Sequence, residues 1–486
     1  MAGDAAVGFF RRLIAGLLCQ LALAGAAAAA PRCVAHAGSD AFLIRAVLLT
    51  PAGPPAPGEV LVEAGRIACV GAHCLSRRPD ATRLDCPQAV LSPGFINDHE
   101  HLGFGHIAPR PDDGVRYGHR HDWRKGLRGF AAREDFQIDL APDLLAWSEL
   151  RHVLTGTTSL IGGFMAPGLA RNLDLAQGLE GLAVPPARYA VFPLDDAAGI
   201  LREGDCDYGP KAATEADVRP LHAYVAHVAE GVDAAARNEF ACVDDAGFDT
   251  TPAPGGGGVS HALVAGNVAI VHGVALTPPM LAEVARRGAS IVWSPRSNLS
   301  LYGRTLDVAA AEALGINLAL GTDWLPSGSI SMPREAACAL DYSRDQLGGR
   351  IGAAEVWRMM TLNAARAVHE DDAIGSLQVG LAADLVLVRG HGGDPYETVV
   401  RASAPDVLLV LRGGKALAGE AVVMRAATKG RAGCEPVTMA GEAHTVCIAD
   451  DAARSYRALA AEMAGKGVWP AFFKGAPPVE PTCRAG

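Results

Sequence analysis

"LSPGFINDHEHLGF", Leu91 to Phe104, sets a Pro-Gly turn before an apolar run that closes on His-Glu-His. Residues i and i+2 of a strand face the same side, so His99 and His101 share one face while Glu100 takes the other. Two imidazoles at the end of a strand are half of a metal site. The motif is weak by itself, and the chain around it has to decide.

Eight short apolar runs end in small or polar residues: "VLSPGFIND", "TGTTSLIGG", "ARNLDL", "ARYAVFPL", "AYVAHVAE", "NVAIVHG", "ASIVWSP" and "INLALGTD". Helical stretches such as "TPPMLAEVARRG" and "DVAAAEALG" separate the later runs, which implies parallel β-α units. Eight such strands over roughly 250 residues fit a (β/α)8 barrel of the TIM type. The short link between the third and fourth strands leaves little room for a full helix. Outside this region, "FLIRAVLLTP" and "GEVLVEAGRIACVG" early, and "GSLQVGLAADLVLVRG" and "DVLLVLRGGKAL" late, are strands broken by turns. The expected fold is therefore α/β, a barrel with a small β-sandwich domain formed from both flanks. The expected segments are a signal peptide over 1–30, the sandwich over 38–91 and 375–425, the barrel over 92–374, and a cysteine-containing extension over 426–486. "TTPAPGGGG", Thr250 to Gly258, lacks the Lys-Ser/Thr ending of a phosphate loop and reads as a flexible linker.

Half of the 486 residues are hydrophobic and 20% are charged, which excludes disorder as the main theme. The net charge of -10 is scattered, and without a basic stripe nucleic acid is not an expected partner. At the N-terminus, Arg11 and Arg12 precede an apolar run from Leu13 and small residues suited to cleavage near Ala30. The run is Ala-rich and weakly apolar at its far end, which favours a signal peptide over a permanent membrane anchor. Export follows, to the periplasm or the medium if the source is bacterial. Of eleven cysteines, Cys19 would leave with the signal. The remaining ten, an even number in an oxidising compartment, read mostly as disulfides of open pairing. No CxxC pair is present, which disfavours cysteine as a metal ligand.

In a barrel of this kind, side chains at the C-terminal ends of strands converge on one mouth. Strand one delivers His99 and His101, strand five His227 and then Glu230, strand six His272, and strand eight Asp323. His99, His101, His227 and Asp323 form a nitrogen-rich ligand set with room for water, which suits one divalent ion: zinc first, ferrous iron as the alternative. Such an ion brings the pKa of bound water toward about 7. Glu230, three residues past His227, is placed to move protons without being a ligand.

"PGFINDHEH", "HVAEG", "IVHGVAL", "SPRSNLSLYGRT" and "LGTDWLPSGS" together resemble the amidohydrolase superfamily of metal-dependent hydrolases, from about Phe42 to Gly419. The closest resemblance is to the mononuclear branch, with guanine and cytosine deaminases, triazine chlorohydrolases and imidazolonepropionase-like proteins. It implies that His99, His101, His227 and Asp323 bind the metal, that Glu230 shuttles protons, and that His272 polarises water or the developing oxyanion. It also implies that Asp323 doubles as the base. Binuclear members have a bridging lysine on strand four, and "ARYAVFPLDD" has none, so one metal is favoured.

The stretch after strand one, "HIAPRPDDGVRYGHRHDWRKGLRGF", departs from the deaminases, which leaves the substrate open. Loops at this face set specificity. Arg120, Trp123, Arg124, Arg296, Asn298 and Trp324 are the candidate substrate contacts. His119 and His121, a second HxH, follow a charged loop and read as solvated or salt-bridged. His73, His106, His222, His261, His369 and His444 have no partner pattern.

The function expected is an exported hydrolase of small-molecule carbon–nitrogen bonds other than peptide bonds, with deamination, ring opening and amide hydrolysis all open. Membrane insertion is not expected after signal cleavage, and a homo-oligomer is left open. The alternatives are a non-catalytic binding protein on the same barrel and a binuclear dipeptidase-like enzyme.

Overall fold

The computed structural model describes residues 33–484 apart from 110, 133–136 and 255. The proposed signal peptide lies outside the described residues. Eighteen strands are formed among them. The first six are β1 (Val34–His36), β2 (Ser39–Leu48), β3 (Ala56–Glu63), β4 (Arg66–Gly71), β5 (Ala81–Pro93) and β6 (Phe95–Asn97). Next come β7 (Thr157–Leu160), β8 (Arg171–Asn172), β9 (Arg188–Ala190), β10 (Tyr224–Val228), β11 (Val268–His272), β12 (Ser290–Trp293) and β13 (Leu318–Leu320). The chain returns through β14 (Leu385–Val388), β15 (Val407–Arg412), β16 (Lys415–Glu420), β17 (Cys434–Met439) and β18 (Glu442–Cys447).

Each of the eight apolar runs contains one of the strands β6 to β13. They pair in parallel as a three-stranded sheet, β6-β7-β8, and a five-stranded sheet, β9-β10-β11-β12-β13. Backbone hydrogen bonds link the two sheets at both edges. Ala187 N donates to Leu173 O at 2.8 Å, and Asp98 N donates to Leu320 O at 3.3 Å. Between β8 and β9 the link holds only a short 3-10 turn, Ala176–Gly178, as its length requires.

The flanks together form one mixed sheet of ten hydrogen-bonded strands. Its order is β17-β18-β16-β15-β14-β5-β2-β3-β4, with β1 on β5. The joint is β5, which pairs antiparallel with β14 and parallel with β2. The hairpin β17-β18 comes from the C-terminal extension, where no strand was expected. "CEPVTMAGEAHTVC" has few large apolar residues, and the hairpin is held by the Cys434–Cys447 disulfide and by pairing of β18 with β16. Four further disulfides join Cys33 to Cys86, Cys69 to Cys74, Cys206 to Cys242 and Cys338 to Cys483. All ten described cysteines are thus paired.

β5 passes into β6 through Pro93-Gly94, where the backbone runs against β7. A Cβ at Gly94 would lie 2.2 Å from Thr158 Oγ1, so only glycine fits. Along β10 the alternation is strict: Val225 packs with Ile96, Ile161, Val271, Val292 and Ala319, while Tyr224, Ala226 and Val228 face a different core. His227 follows Val225 in phase. His272 does not follow Val271, because the alternation would set it with Ile270. Its left-handed backbone (φ 70°) breaks the pattern, as does that of Asp323 (φ 56°) beyond β13. Non-glycine residues in this region cost about 1–3 kcal/mol each and cluster where function requires them.

Candidate active site

His99, His101, His227, His272 and Asp323 come together at or just past the C-terminal ends of β6, β10, β11 and β13. One group of ligand atoms, all within 4.8 Å of one another, comes from His99, His227 and His272; a second comes from His99, His101 and Asp323. His99 Nε2 is 3.2 Å from His101 Nε2, and Asp323 Oδ1 is 3.4 Å from the first and 3.5 Å from the second. Burial holds the His99, His101 and His227 imidazoles below their usual range. The neutral form that this favours is the one that ligates metal.

The donor set fits a divalent ion. His227 is buried, yet neither ring nitrogen makes a well-formed hydrogen bond. A buried polar group left in that state is costly unless a ligand engages it. The other rings are oriented from behind. His99 Nδ1 is 2.9 Å from Ser294 Oγ, and His272 Nδ1 donates to Asn298 Oδ1 at 2.9 Å. Hydrogen bonds of this kind fix the tautomer that a ligating or proton-moving imidazole needs.

Asp323 is gripped on both oxygens. Ser297 Oγ donates to Oδ2 at 2.5 Å and Trp324 N to Oδ1 at 2.7 Å. Burial raises its pKa, against the pull of His272 and His101. Glu230 is also buried, but His272, Arg120 and a hydrogen bond from Tyr302 overcome burial and hold its carboxyl below the usual value. Tyr302 Oη donates to Glu230 Oε1 at 2.7 Å, and Trp123 Nε1 donates to Tyr302 Oη at 3.2 Å. His272 Nε2 stands 3.6 Å from Glu230 Oε2 and 3.9 Å from Asp323 Oδ2, between the two acids.

The stretch after strand one folds back over this group. Helix α1 (Arg120–Lys125) starts at His119, and Arg120 N donates to Glu230 O at 3.1 Å. A cavity of about 540 Å³ opens here, lined by Phe104, Trp123, Phe164, Tyr189, Phe192 and Trp324 among others. Trp123 stacks on Trp324 with centroids 4.9 Å apart, and Phe104 meets Trp324 edge-on at 5.4 Å. Such a surface accepts a flat, largely apolar body.

Of the six candidate substrate contacts, Arg120, Trp123, Arg124 and Trp324 line the cavity and Arg296 and Asn298 do not. Arg296 is held by Ser329 Oγ, Arg334 O and Pro481 O, so its guanidinium fastens the C-terminal tail. Asn298 acts on His272 instead. Of the two readings of His119 and His121, solvated or salt-bridged, the structure shows the second. Both are buried, His119 against Glu239 at 3.1 Å and His121 against Asp196 at 2.9 Å. Glu100 faces away from this cluster and is held down to about 2, because Arg151 and His152 outweigh its burial. Tyr302, Tyr189 and Ser297 went unread in the sequence. Tyr302 and Ser297 lie within "SPRSNLSLYGRT", but neither carries a spacing that points to its partner.

One backbone approach carries a prediction. Gly321, after β13, lies where a Cβ would be 2.4 Å from His99 Cβ. Gly321→Ala forces His99 and Asp323 apart, and overpacking of this kind costs about 1–3 kcal/mol. Metal content measured on the purified variant should fall well below that of the parent, with a lowered melting temperature.

Residues 218–417 match the amidohydrolase family. A putative aminohydrolase of Methanothermobacter thermautotrophicus is 26% identical over 374 residues, covering 70% of this chain and 89% of the relative. A 5-methylthioadenosine/S-adenosylhomocysteine deaminase of Desulforudis audaxviator is 26% identical over 395 residues, 72% of this chain and 85% of that one. Among solved structures, the zinc complex of atrazine chlorohydrolase from Arthrobacter aurescens superposes with a TM-score of 0.54 at 18% identity, covering 77% of this chain and 95% of the other. That likeness is one of fold, a TIM-like barrel with an added sheet domain.

Proposed function

From an amidohydrolase family domain whose strand ends gather four histidines and an aspartate, we propose a hydrolase that cleaves non-peptide carbon–nitrogen bonds with one divalent metal ion. His99, His101, His227 and Asp323 would hold the ion, zinc being the ion best suited to three imidazoles and a carboxylate. When bound, it supplies Lewis acidity and lowers the pKa of water toward about 7.

The chain's own groups then divide the work. Asp323, raised by burial and steadied by Ser297, takes the proton of the attacking water. His272, with Nδ1–H committed to Asn298, presents Nε2 between the acids, where it polarises the attacking water. Glu230, fixed by Tyr302 and Arg120, carries the proton to the departing nitrogen. The aromatic walls orient the substrate and exclude water.

Closure of β6 to β13 into a full barrel accounts for the edge-to-edge hydrogen bonds and for the single mouth. Tyr189, on β9, supports one metal rather than two. Its ring stands 6.0 Å from that of His101, on the strand where a bridging lysine would be needed. Export is supported by the five disulfides, since such bonds persist in oxidising compartments. No helix among the described residues is long and apolar enough to cross a membrane.

The observation that carries this reading is the meeting of His99, His101 and Asp323 beside a His227 whose ring nitrogens make no well-formed hydrogen bond. The test is metal analysis of the purified chain with a substrate screen over cyclic ureas, aminated heterocycles and N-acyl amino acids. Close to one transition metal per chain and turnover in one class are expected. A metal content near two, or no turnover by the metal-loaded protein, would overturn it.

A further inference from the structure

We propose that Arg124 binds an anionic group of the substrate, so that the site takes a flat carbon–nitrogen compound bearing a carboxylate. The chemistry rests on the hydrolase reading above; the binding does not.

Four arginines lie between residues 116 and 128, and three are neutralised by carboxylates. Arg116 is bonded to Asp112, Arg128 to Asp122 and Asp233, and Arg120 to Asp196 with Glu239 and Glu230 nearby. Among the described residues, no carboxylate stands within ion-pair distance of Arg124. Its guanidinium rests instead on neutral groups. Nη1 donates to His121 Nδ1 at 2.8 Å, Nη2 to Ala197 O at 3.4 Å, and its plane lies 4.2 Å from the Phe192 ring centre.

His121 is neutral for a geometric reason. Its Nδ1 accepts from Arg124, so its Nε2 carries the proton that Asp196 Oδ2 receives at 2.9 Å. Arg124 is thus aimed without being neutralised. Burial and the neighbouring Arg120 push it down to about 10, which leaves it charged at neutral pH. A half-buried cation without a counterion has charge-assisted bonds still to make, and a ligand carboxylate would supply two in parallel. The site's own acids, Glu230 and Asp323, are engaged with Tyr302, Arg120, Ser297 and histidines. The substrate is therefore oriented with its anion at Arg124 and its flat body against Trp123, Trp324 and Phe104.

The test compares benzoate, its neutral analogue benzamide, and phenyl phosphate by calorimetry on the metal-loaded full chain and on Arg124→Met and Arg124→Lys. Benzoate should bind at least about tenfold more tightly than benzamide, as expected for a charge-assisted pair. Arg124→Met should erase that preference at unchanged metal content, and Arg124→Lys should keep part of it. Equal affinities overturn the proposal. So does a preference that survives in Arg124→Met, which would put the carboxylate on the metal. Tighter binding of phenyl phosphate than of benzoate overturns the choice of carboxylate. If Arg124→Met does not fold, the benzoate preference and its partial loss in Arg124→Lys decide. Turnover of neutral compounds alone sinks this subsite and leaves the hydrolase standing. An Arg124-dependent benzoate preference without any turnover does the reverse.

Discussion

Glu230→Gln is expected to lower turnover by about 10²–10⁴-fold, the range supplied by a positioned general acid or base, while metal content stays at the parent level. Glutamine keeps the shape of the side chain and an oxygen that accepts from Tyr302, which donates to Glu230 Oε1 at 2.7 Å. It removes the negative charge facing His272 and Arg120, and with it the ability to exchange a proton. Glu230 is outside both groups of converging ligand atoms, so the ion has no reason to leave. Metal analysis and steady-state rates on the same preparation separate the two effects. Joint loss of metal and rate would make Glu230 a ligand; an unchanged rate would remove it from the reaction.

His99→Ala should have a larger effect still: near-complete loss of bound metal and of all activity. His99 is the one residue common to both converging groups. Its ring lies 4.7 to 5.1 Å, centre to centre, from His101, His227 and His272. Ser294 orients it and Gly321 backs it, so no neighbouring side chain can replace it. Alanine also opens a hole in a fully buried place, and a melting curve will distinguish local loss of the ion from global unfolding. Retention of the full metal content by a folded His99→Ala protein would refute the assignment.

How much was legible follows from which signals are local. A strand of the central region needs only a short apolar run between turns, and each of β6 to β13 falls on such a run. Residues that end those strands, such as His227 and Asp323, could be named because the fold places strand ends at one mouth. Others depend on contacts between distant segments. Tyr302 reaches Glu230 across 72 positions of sequence, and Arg296 meets Pro481 across 185. Neither distance leaves a spacing to read, which is why Tyr302 was overlooked and Arg296 was placed at the substrate. The hairpin of β17 and β18 escaped for a related reason, because it depends on a disulfide and on a sheet edge built elsewhere. His119 and His121 read as solvated or salt-bridged because their neighbours are charged; only the fold decides between the two, by burying both rings against Glu239 and Asp196.

The helix that bears Arg124 is not an independent lid. It starts where Arg120 N bonds to Glu230 O, and Val232 N returns a bond to Gly118 O at 2.7 Å. Selectivity and proton transfer therefore share one piece of backbone. An evolving or engineered lineage that rewrites this helix to accept a new compound will disturb the acid at the same stroke. New specificity should thus be easier to reach through cavity residues outside this helix and its contacts, such as Phe164, where the choice of substrate and the speed of reaction can change separately.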